Sequence, residues 1–331
     1  MASHRFHPDV GGIEKVSETL ALEFQRESHE VRVVTQSQGQ LGGYPYEVVR
    51  KPGSRSWMSL LRWCDVYLQN NISLKGLWPL AAVKKPWVVS HHTWITRTDG
   101  RIGVRDRLKL FTLRMARNIS VSNSIASALP VPSVVIGNPY ASNQFKLLKT
   151  VPRNKELIFV GRLVSDKGVD DLLHVLSVLK KREITPGLTI IGDGPERAPL
   201  ELLTKELGLV SQVEFAGVKS GENLTELLNQ HQIMVVPSRW KEPFGVVALE
   251  GIACGCVIVG SSGGGLADAI GNCGLIYSNG SREELAACLE KVLKQPDLRA
   301  GFCSAGPEHL SHFAPNTVAR AYLSELEKAA S

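Results

Sequence analysis

Glu242-Pro243-Phe244-Gly245-Val246-Val247-Ala248-Leu249-Glu250 is the stretch on which the fold of this 331-residue chain turns. A short apolar strand over 233–236 leads into it through Pro237-Ser238-Arg239-Trp240-Lys241, and a helix of small and apolar residues over 246–253 leaves it. Pro243 fixes φ and cannot donate a hydrogen bond, which suits a helix entrance. Gly245 lets another group come close to the backbone. The first amides of the helix have no partner inside it and lie at the positive end of its dipole, which makes a site for an anion. Helical side chains lean toward the N-terminus, so Glu250 reaches back toward that site. Glu242 and Glu250 thus bracket a hole the size of a phosphate.

The stretch resembles the Glu-x7-Glu motif of the retaining GT-B-fold glycosyltransferases of family 4 (glycosyl transferases group 1). The resemblance implies an α/β fold of two Rossmann-like, doubly wound parallel-sheet domains facing a cleft. It further implies that the amides at Phe244, Gly245 and Val246 hold the diphosphate of a nucleotide sugar. Glu250 then bonds the ribose, and Glu242 lies by the transferred sugar. Two Glu at this spacing on a wet helix face carry no such meaning alone. Glu-Pro-Phe-Gly between a buried strand and a small-residue helix is the specific part.

Upstream, a strand over 156–160 runs into Gly161-Arg162-Leu163-Val164-Ser165-Asp166-Lys167-Gly168 and a helix over 169–181. An Arg and a Lys five apart in a loop after a buried strand can grip one diphosphate from two sides. This is similar to the family's Gly-Arg-Leu…Lys-Gly signature, in which the cations neutralise the leaving diphosphate. It is not a Walker A loop, because the Gly-Lys-Ser/Thr order is absent. Gly192-Asp193-Gly194-Pro195-Glu196 follows a strand over 188–191 and reads as a tight turn to a helix. Residues 213–218 put a backbone, at Val218, where the family reads the nucleobase. Gly263-Gly264-Gly265 follows a strand over 257–259 and suits amides presented to a hydroxyl or phosphate, Gly264 foremost. The family commonly continues with Pro-Glu; here Leu266-Ala267-Asp268 stands instead.

The first half alternates helices with strands over 31–34, 47–49, 66–68, 87–90, 119–121 and 134–136, as a doubly wound sheet requires. Its opening, Ser3-His4-Arg5-Phe6-His7-Pro8-Asp9-Val10-Gly11-Gly12, looks like the loop after the family's first strand, where Gly11 and Gly12 let the diphosphate approach. The strand itself is not legible, and the reading prefers a shortened start to a first sheet without its central strand. His91-His92 closes the strand over 87–90. The family often places a His there beside the donor sugar, and His92 is the better match. Neighbouring residues of an extended chain point to opposite sides, so one of the pair at most faces a ligand. Val135-Ile136-Gly137-Asn138-Pro139 matches the family's turn before the linker.

Charge is divided unevenly. Residues 1–150 carry 20 Lys/Arg against 10 Asp/Glu, and the rest 18 against 22. A basic first half calls for an anionic partner. Arg97, Arg101, Arg105, Arg107, Lys109, Arg114 and Arg117 crowd residues 97–117, with Leu108, Phe111, Leu113 and Met115 among them. A solvated basic face is the plain reading; docking on anionic lipid headgroups is the one favoured here. The segment 57–63, with Trp57 and Trp63, also suits an interface. No nucleic-acid-binding module accompanies the charge, so nucleic acid is not expected. Six cysteines form no Cys-x-x-Cys, no secretory signal is legible, and no run is long enough to span a membrane, which together fit a reduced cytosol.

The domains expected are 1–150 (acceptor side), 151–308 (donor binding) and 309–331, a last helix that in the resembled fold crosses back to the first domain. The expected activity is retaining transfer from a nucleotide diphosphate sugar to a glycan, lipid-linked or small-molecule acceptor, in cell-surface polysaccharide or glycolipid synthesis. Glu242, His92, Arg162 and Lys167 are its catalytic residues. No cofactor is expected, and no metal, since no Asp-x-Asp occurs in the chain. Two alternatives stay open: a sugar-nucleotide epimerase, and a catalytically silent partner protein docking at the cytoplasmic face of a membrane.

Overall fold

In the computed structural model, residues 1–9, 11–39, 43–95 and 103–331 are described. They divide into unit 1, Met1–Pro139 with Phe313–Ser331, and unit 2, Tyr140–His312. Residues 140–150, which the sequence reading leaves with the first domain, belong to unit 2 here. Asn229 explains it, accepting from the Leu148 N–H (2.7 Å) and donating to the Lys146 carbonyl (3.0 Å).

Unit 1 holds seven parallel strands: β1 (Ala2–Ser3), β2 (Arg32–Thr35), β3 (Glu47–Arg50), β4 (Tyr67–Asn70), β5 (Trp87–His91), β6 (Arg117–Ser120) and β7 (Val134–Val135). Their order is β3-β2-β1-β4-β5-β6-β7, the doubly wound pattern. The central place, for which the sequence offers no strand, is filled by two residues. Ala2 pairs with Val34 and Gln69, and Ser3 with Asn70. Strand alternation sorts the core onto two faces. Leu68 and Val88 meet helix Gly12–Arg26 and the last helix, Pro315–Ala330, through Leu20, Val318 and Tyr322. Tyr67, Trp87 and Val89 meet Leu61 of helix Ser54–Trp63 on the other face.

Unit 2 holds six parallel strands in the order β10-β9-β8-β11-β12-β13. They are β8 (Lys155–Val160), β9 (Leu188–Ile191), β10 (Val213–Gly217), β11 (His231–Val236), β12 (Val257–Ser261) and β13 (Gly274–Tyr277). Helix Val169–Lys181 buries Leu172, Leu173, Val175, Leu176 and Leu179 completely against the sheet. Each such side chain contributes roughly 1.5–3 kcal/mol, so the loop entering this helix stands on a rigid base. The winding reverses between β8 and β11. In open parallel sheets that reversal leaves a crevice outside the carboxyl ends of the strands. Among the described residues no helix is long and apolar enough to cross a membrane.

Candidate functional site

The loops that follow β8 and β11 flank the reversal point of unit 2, and hydrogen bonds staple them together. The N–H groups of Arg239 and Trp240 both donate to the Asp166 carbonyl, at 2.8 and 3.1 Å. The Arg239 guanidinium forks onto Asp170 and Asp171, 2.6 Å each, and Arg282 reaches Asp171 at 2.5 Å. Burial alone would raise the Asp171 carboxyl, but its hydrogen bonds to Arg239 and Arg282 outweigh that and hold it below its ordinary value. Three loops are thereby fixed by one charged clamp.

The clamp sets Lys167 against Glu242. Lys167 Nζ donates to Glu242 Oε1 at 2.5 Å, and Ser238 Oγ donates to the same oxygen at 2.8 Å. Glu242 keeps 15% of its side chain exposed and Lys167 28%, so the pair is largely sheltered and its attraction is set against the cost of taking both charges out of water. The main chain of Glu242 is held from the other side. Its carbonyl accepts from the Gly265 N–H at 2.6 Å, and it bridges Gly264 in parallel fashion. Gly264 has φ +79°, and a Cβ there would stand 2.1 Å from the Glu242 carbonyl oxygen, so only glycine permits this approach.

Helix Val246–Ala253 begins immediately beyond. Phe244 is buried beneath the entrance, and Gly245 caps the helix at φ +115° without a side-chain cap bond. No acidic residue occupies its first turn, and the positive end of the helix dipole there favours an anion. Arg162 lies exposed on the β8 loop, with no ion pair among the described residues. The adjacent Leu163 is buried and anchors that loop, its N–H donating to the Asp193 carbonyl at 2.9 Å. Glu250 sits partly buried in the second turn of the helix. Arg162, Lys167, Glu242, the entrance at Phe244-Gly245-Val246, Glu250 and Gly264 thus fall on three adjoining strand ends. Val218 does not join them: it is 71% exposed beyond β10, with β9 and β8 between it and β11.

The unit 1 residues have different surroundings. His92 is buried, and both ring nitrogens are engaged: Nδ1 with Asn138 Oδ1 at 3.0 Å, Nε2 with Ser90 Oγ at 2.9 Å. Asn138 Oδ1 can only accept, so Nδ1 carries the proton. Burial lowers the His92 pKa to about 4, so the ring is neutral at pH 7 and Nε2 accepts from Ser90. Ser90 Oγ in turn accepts from Tyr322 at 2.6 Å. No ring nitrogen is left for a sugar, contrary to the catalytic place expected for His92. This arrangement makes it a link between β5, Asn138 and the last helix. His91 points elsewhere, to Asn118 Oδ1 at 3.0 Å.

Gly11 caps helix Gly12–Arg26, but Glu14 folds back over it. A Cβ on Gly11 would stand 2.2 Å from Glu14 Oε2. The anion position at that helix entrance is filled by the chain's own carboxylate, which opposes the diphosphate role expected of Gly11; Gly12 faces open space. Arg97 and Arg101 of the basic stretch lie outside the described residues.

Sequence reasoning missed the Arg239–Asp170–Asp171–Arg282 clamp and Ser238. Asp170-Asp171 beside Gly168 and the Arg of Pro-Ser-Arg-Trp were visible, but Arg282 is 111 residues from Asp171 and nothing local pairs them.

A family model described as glycosyl transferases group 1 matches residues 142–309. An uncharacterized glycosyltransferase of Methanocaldococcus jannaschii is 40% identical over 116 residues, 35% of this chain and 29% of that protein. A D-inositol 3-phosphate glycosyltransferase of Corynebacterium jeikeium is 33% identical over 171 residues, 49% of this chain and 41% of that one. Glycogen synthase of Mycobacterium tuberculosis is 31% identical over 223 residues, 66% and 53%. The chain therefore spans between 29% and 53% of the length of these relatives. Among solved structures, Anabaena HepE in complex with UDP superposes with TM-score 0.80 at 20% identity, covering 98% of this chain and 99% of that one. Sucrose-phosphate synthase of Thermosynechococcus elongatus gives 0.76 at 20%, covering 97% and 95%. At such identity the likeness is one of fold, and it spans both parallel-sheet units.

Proposed function

The chain belongs to the glycosyl transferases group 1 family, and from that premise we propose that it is a retaining, metal-independent glycosyltransferase. It moves a sugar from a nucleotide diphosphate sugar to a glycan, lipid-linked or small-molecule acceptor. The observation that supports this most is the convergence of Arg162, Lys167 and the uncapped helix entrance at Gly245 on the reversal point of unit 2, beside Glu242.

Each group has a task in the proposed reaction. Arg162, Lys167 and the first amides of helix Val246–Ala253 carry the charge that grows on the diphosphate. Preorganised charge of this kind is often the largest catalytic contribution. The Lys167 ammonium has three donors, so it holds a phosphate oxygen while still bonded to Glu242. Glu242, fixed by Lys167 and Ser238, orients the sugar and forms no covalent bond to it. An acceptor hydroxyl oxygen bonds to the anomeric carbon on the face the leaving group departs from. The bond from that carbon to the diphosphate breaks and its electron pair leaves with the nucleoside diphosphate. The hydroxyl proton goes to the departing phosphate oxygen. Glu250 bonds the ribose.

The curated relatives are named for transfer to inositol phosphate and for glycogen synthesis, and Anabaena HepE is solved with UDP, which recommends UDP-sugars as first donors. We also assign anionic membrane docking to helix Val104–Thr112 and the turn after it. Val104, Leu108, Phe111 and Met115, spaced four, three and four apart, are 50–84% exposed, with Arg105, Arg107 and Arg114 beside them. Such a stripe is the pattern of a helix lying on anionic lipid.

Incubating the pure chain with UDP-, GDP- and ADP-sugars tests the reading. Release of nucleoside diphosphate that rises with acceptor and keeps the anomeric configuration supports it. Interconversion of the donor sugar without acceptor would indicate an epimerase, and inertness toward every donor a silent partner.

A further inference from the structure

A cavity of about 760 Å³ opens at the amino ends of β5, β6 and β7, and every residue of its wall belongs to unit 1. No residue of the proposed donor site lines it.

Its charge is one-sided. Lys85, Arg114, Arg117 and Lys328 are wall residues, and no Asp or Glu is. Glu325, buried on the last helix, accepts from Arg117 Nε and from Lys328 Nζ, the latter at 2.7 Å. Burial would raise that carboxyl, but its hydrogen bonds to Arg117 and Lys328 outweigh this and hold it below its ordinary value. Glu325 is therefore charged, and it fixes where both cations stand. It does not exhaust them: the bond to Arg117 takes Nε and leaves the two terminal guanidinium nitrogens, and the bond to Lys328 takes one of three ammonium protons. Lys85 and Arg114 make no ion pair among the described residues, and the Arg114 guanidinium stands 5.6 Å from the centre of the Phe111 ring. Four cations set against one carboxylate favour an anion, and guanidinium with ammonium grips phosphate oxygens.

The rim says which kind of phosphate. Met115 is 79% exposed and Val134 39%, and Pro132 is exposed between them in the wall. A small soluble phosphate would leave this apolar surface in water, whereas a ligand carrying hydrocarbon beside its phosphate would cover it. Met115 also ends the exposed stripe that begins at Val104, with Arg114 beside it, so stripe and cavity mouth are continuous. At 760 Å³ the cavity lies within the range of about 300–1,000 Å³ usual for small-molecule sites, which admits a headgroup.

We propose that this cavity binds the headgroup phosphate of an anionic phospholipid on Lys85, Arg114, Arg117 and Lys328, the acyl chains leaving over Met115, Pro132 and Val134. The proposal deepens the membrane docking assigned above to helix Val104–Thr112 and rests on it for the lipid's source. It differs in requiring a discrete, saturable site built from three other segments of the chain.

The test is isothermal titration of the full chain with dihexanoyl phosphatidylglycerol kept below its micelle threshold, so that single lipid molecules are read without a membrane. Dihexanoyl phosphatidylcholine, glycerol 3-phosphate and inorganic phosphate are the comparison probes, and vesicle sedimentation runs in parallel. The phosphatidylglycerol should bind about tenfold or more tightly than any of the three. Lys85→Gln and Arg114→Gln should each weaken it about fivefold with melting unchanged, and Lys85→Arg should keep most of the binding. Arg107→Gln, which alters the helix and not the wall, should lower vesicle binding and leave binding of the single lipid as it was. No binding of the single lipid, equal binding of glycerol 3-phosphate or of phosphatidylcholine, or unchanged binding by Lys85→Gln/Arg114→Gln would overturn the proposal. Sedimentation with vesicles but no binding of the single lipid would sink this site and leave the docking surface; binding without sedimentation would do the reverse.

Discussion

Lys167 and Glu242 form an ion pair 2.5 Å long whose attraction is offset by the cost of desolvating both charges. Its value lies in placement, and that separates two measurements. Lys167→Ala or Arg162→Ala should lower kcat by roughly 100- to 1,000-fold, the usual cost of one preorganised donor at a growing negative charge. Melting of Arg162→Ala, whose side chain is exposed, should move by no more than about 1 kcal/mol. Steady-state rates set beside thermal melts check this, and equal losses in both would refute the role. His92 behaves in the opposite way. Its pKa falls from the ordinary 6.5 to about 4 in the folded chain, so between those values the unfolded chain binds the extra proton. The stability that the neutral ring contributes is full above about pH 6.5 and is lost as pH falls toward 4, by roughly 3 kcal/mol for a shift of this size. Melts across that window should show the loss in the parent chain and a shallower slope in His92→Gln. The motif residues around Glu242 were legible because each is a local demand on the backbone or on charge. The bonding of His92 was not, since Asn138 reaches it directly from 46 residues away and Tyr322 reaches it through Ser90, 232 residues from that serine.

At the scale of elements, every strand read from the sequence is present within two residues of its expected place, because continuous apolar runs bounded by turn residues mark buried parallel strands. Several elements escaped, β1 and helices Gly221–Gln230 and Pro296–Ser311 among them. β1 is two residues long, too short for any period to show. Helix Pro296–Ser311 carries Pro307 inside it, which reads as a breaker. Helix Val104–Thr112 was legible in composition, but only the structure shows that its apolar stripe is left uncovered. The chain should therefore sediment with vesicles containing phosphatidylglycerol and not with phosphatidylcholine alone. Phe111→Asp and Arg107→Glu should each reduce that binding severalfold, and added salt should weaken it. Binding that is indifferent to lipid charge would remove the docking assignment. The Gly264 loop makes a second prediction at this scale. Gly264→Ala forces a Cβ against the Glu242 carbonyl, so it should cost turnover and about 1–3 kcal/mol of stability together, as rates and melts on one sample would show.

Over the whole molecule, the two units divide the chemistry as their charge does. The first 150 residues hold the cationic surplus, whereas the remainder is net acidic and places Arg162 and Lys167 on the loop after β8. That asymmetry was readable from composition. In the proposed reaction Arg162 and Lys167 take the part a divalent ion would play, so turnover should survive excess EDTA unchanged; a loss restored by Mg²⁺ or Mn²⁺ would contradict that assignment. The most direct measurement is titration of the full chain with UDP, GDP and ADP, repeated on Arg162→Ala/Lys167→Ala. One nucleoside diphosphate should bind in the micromolar range and at least tenfold more weakly to the double variant. No binding to the parent chain, or equal binding to both, would contradict the account.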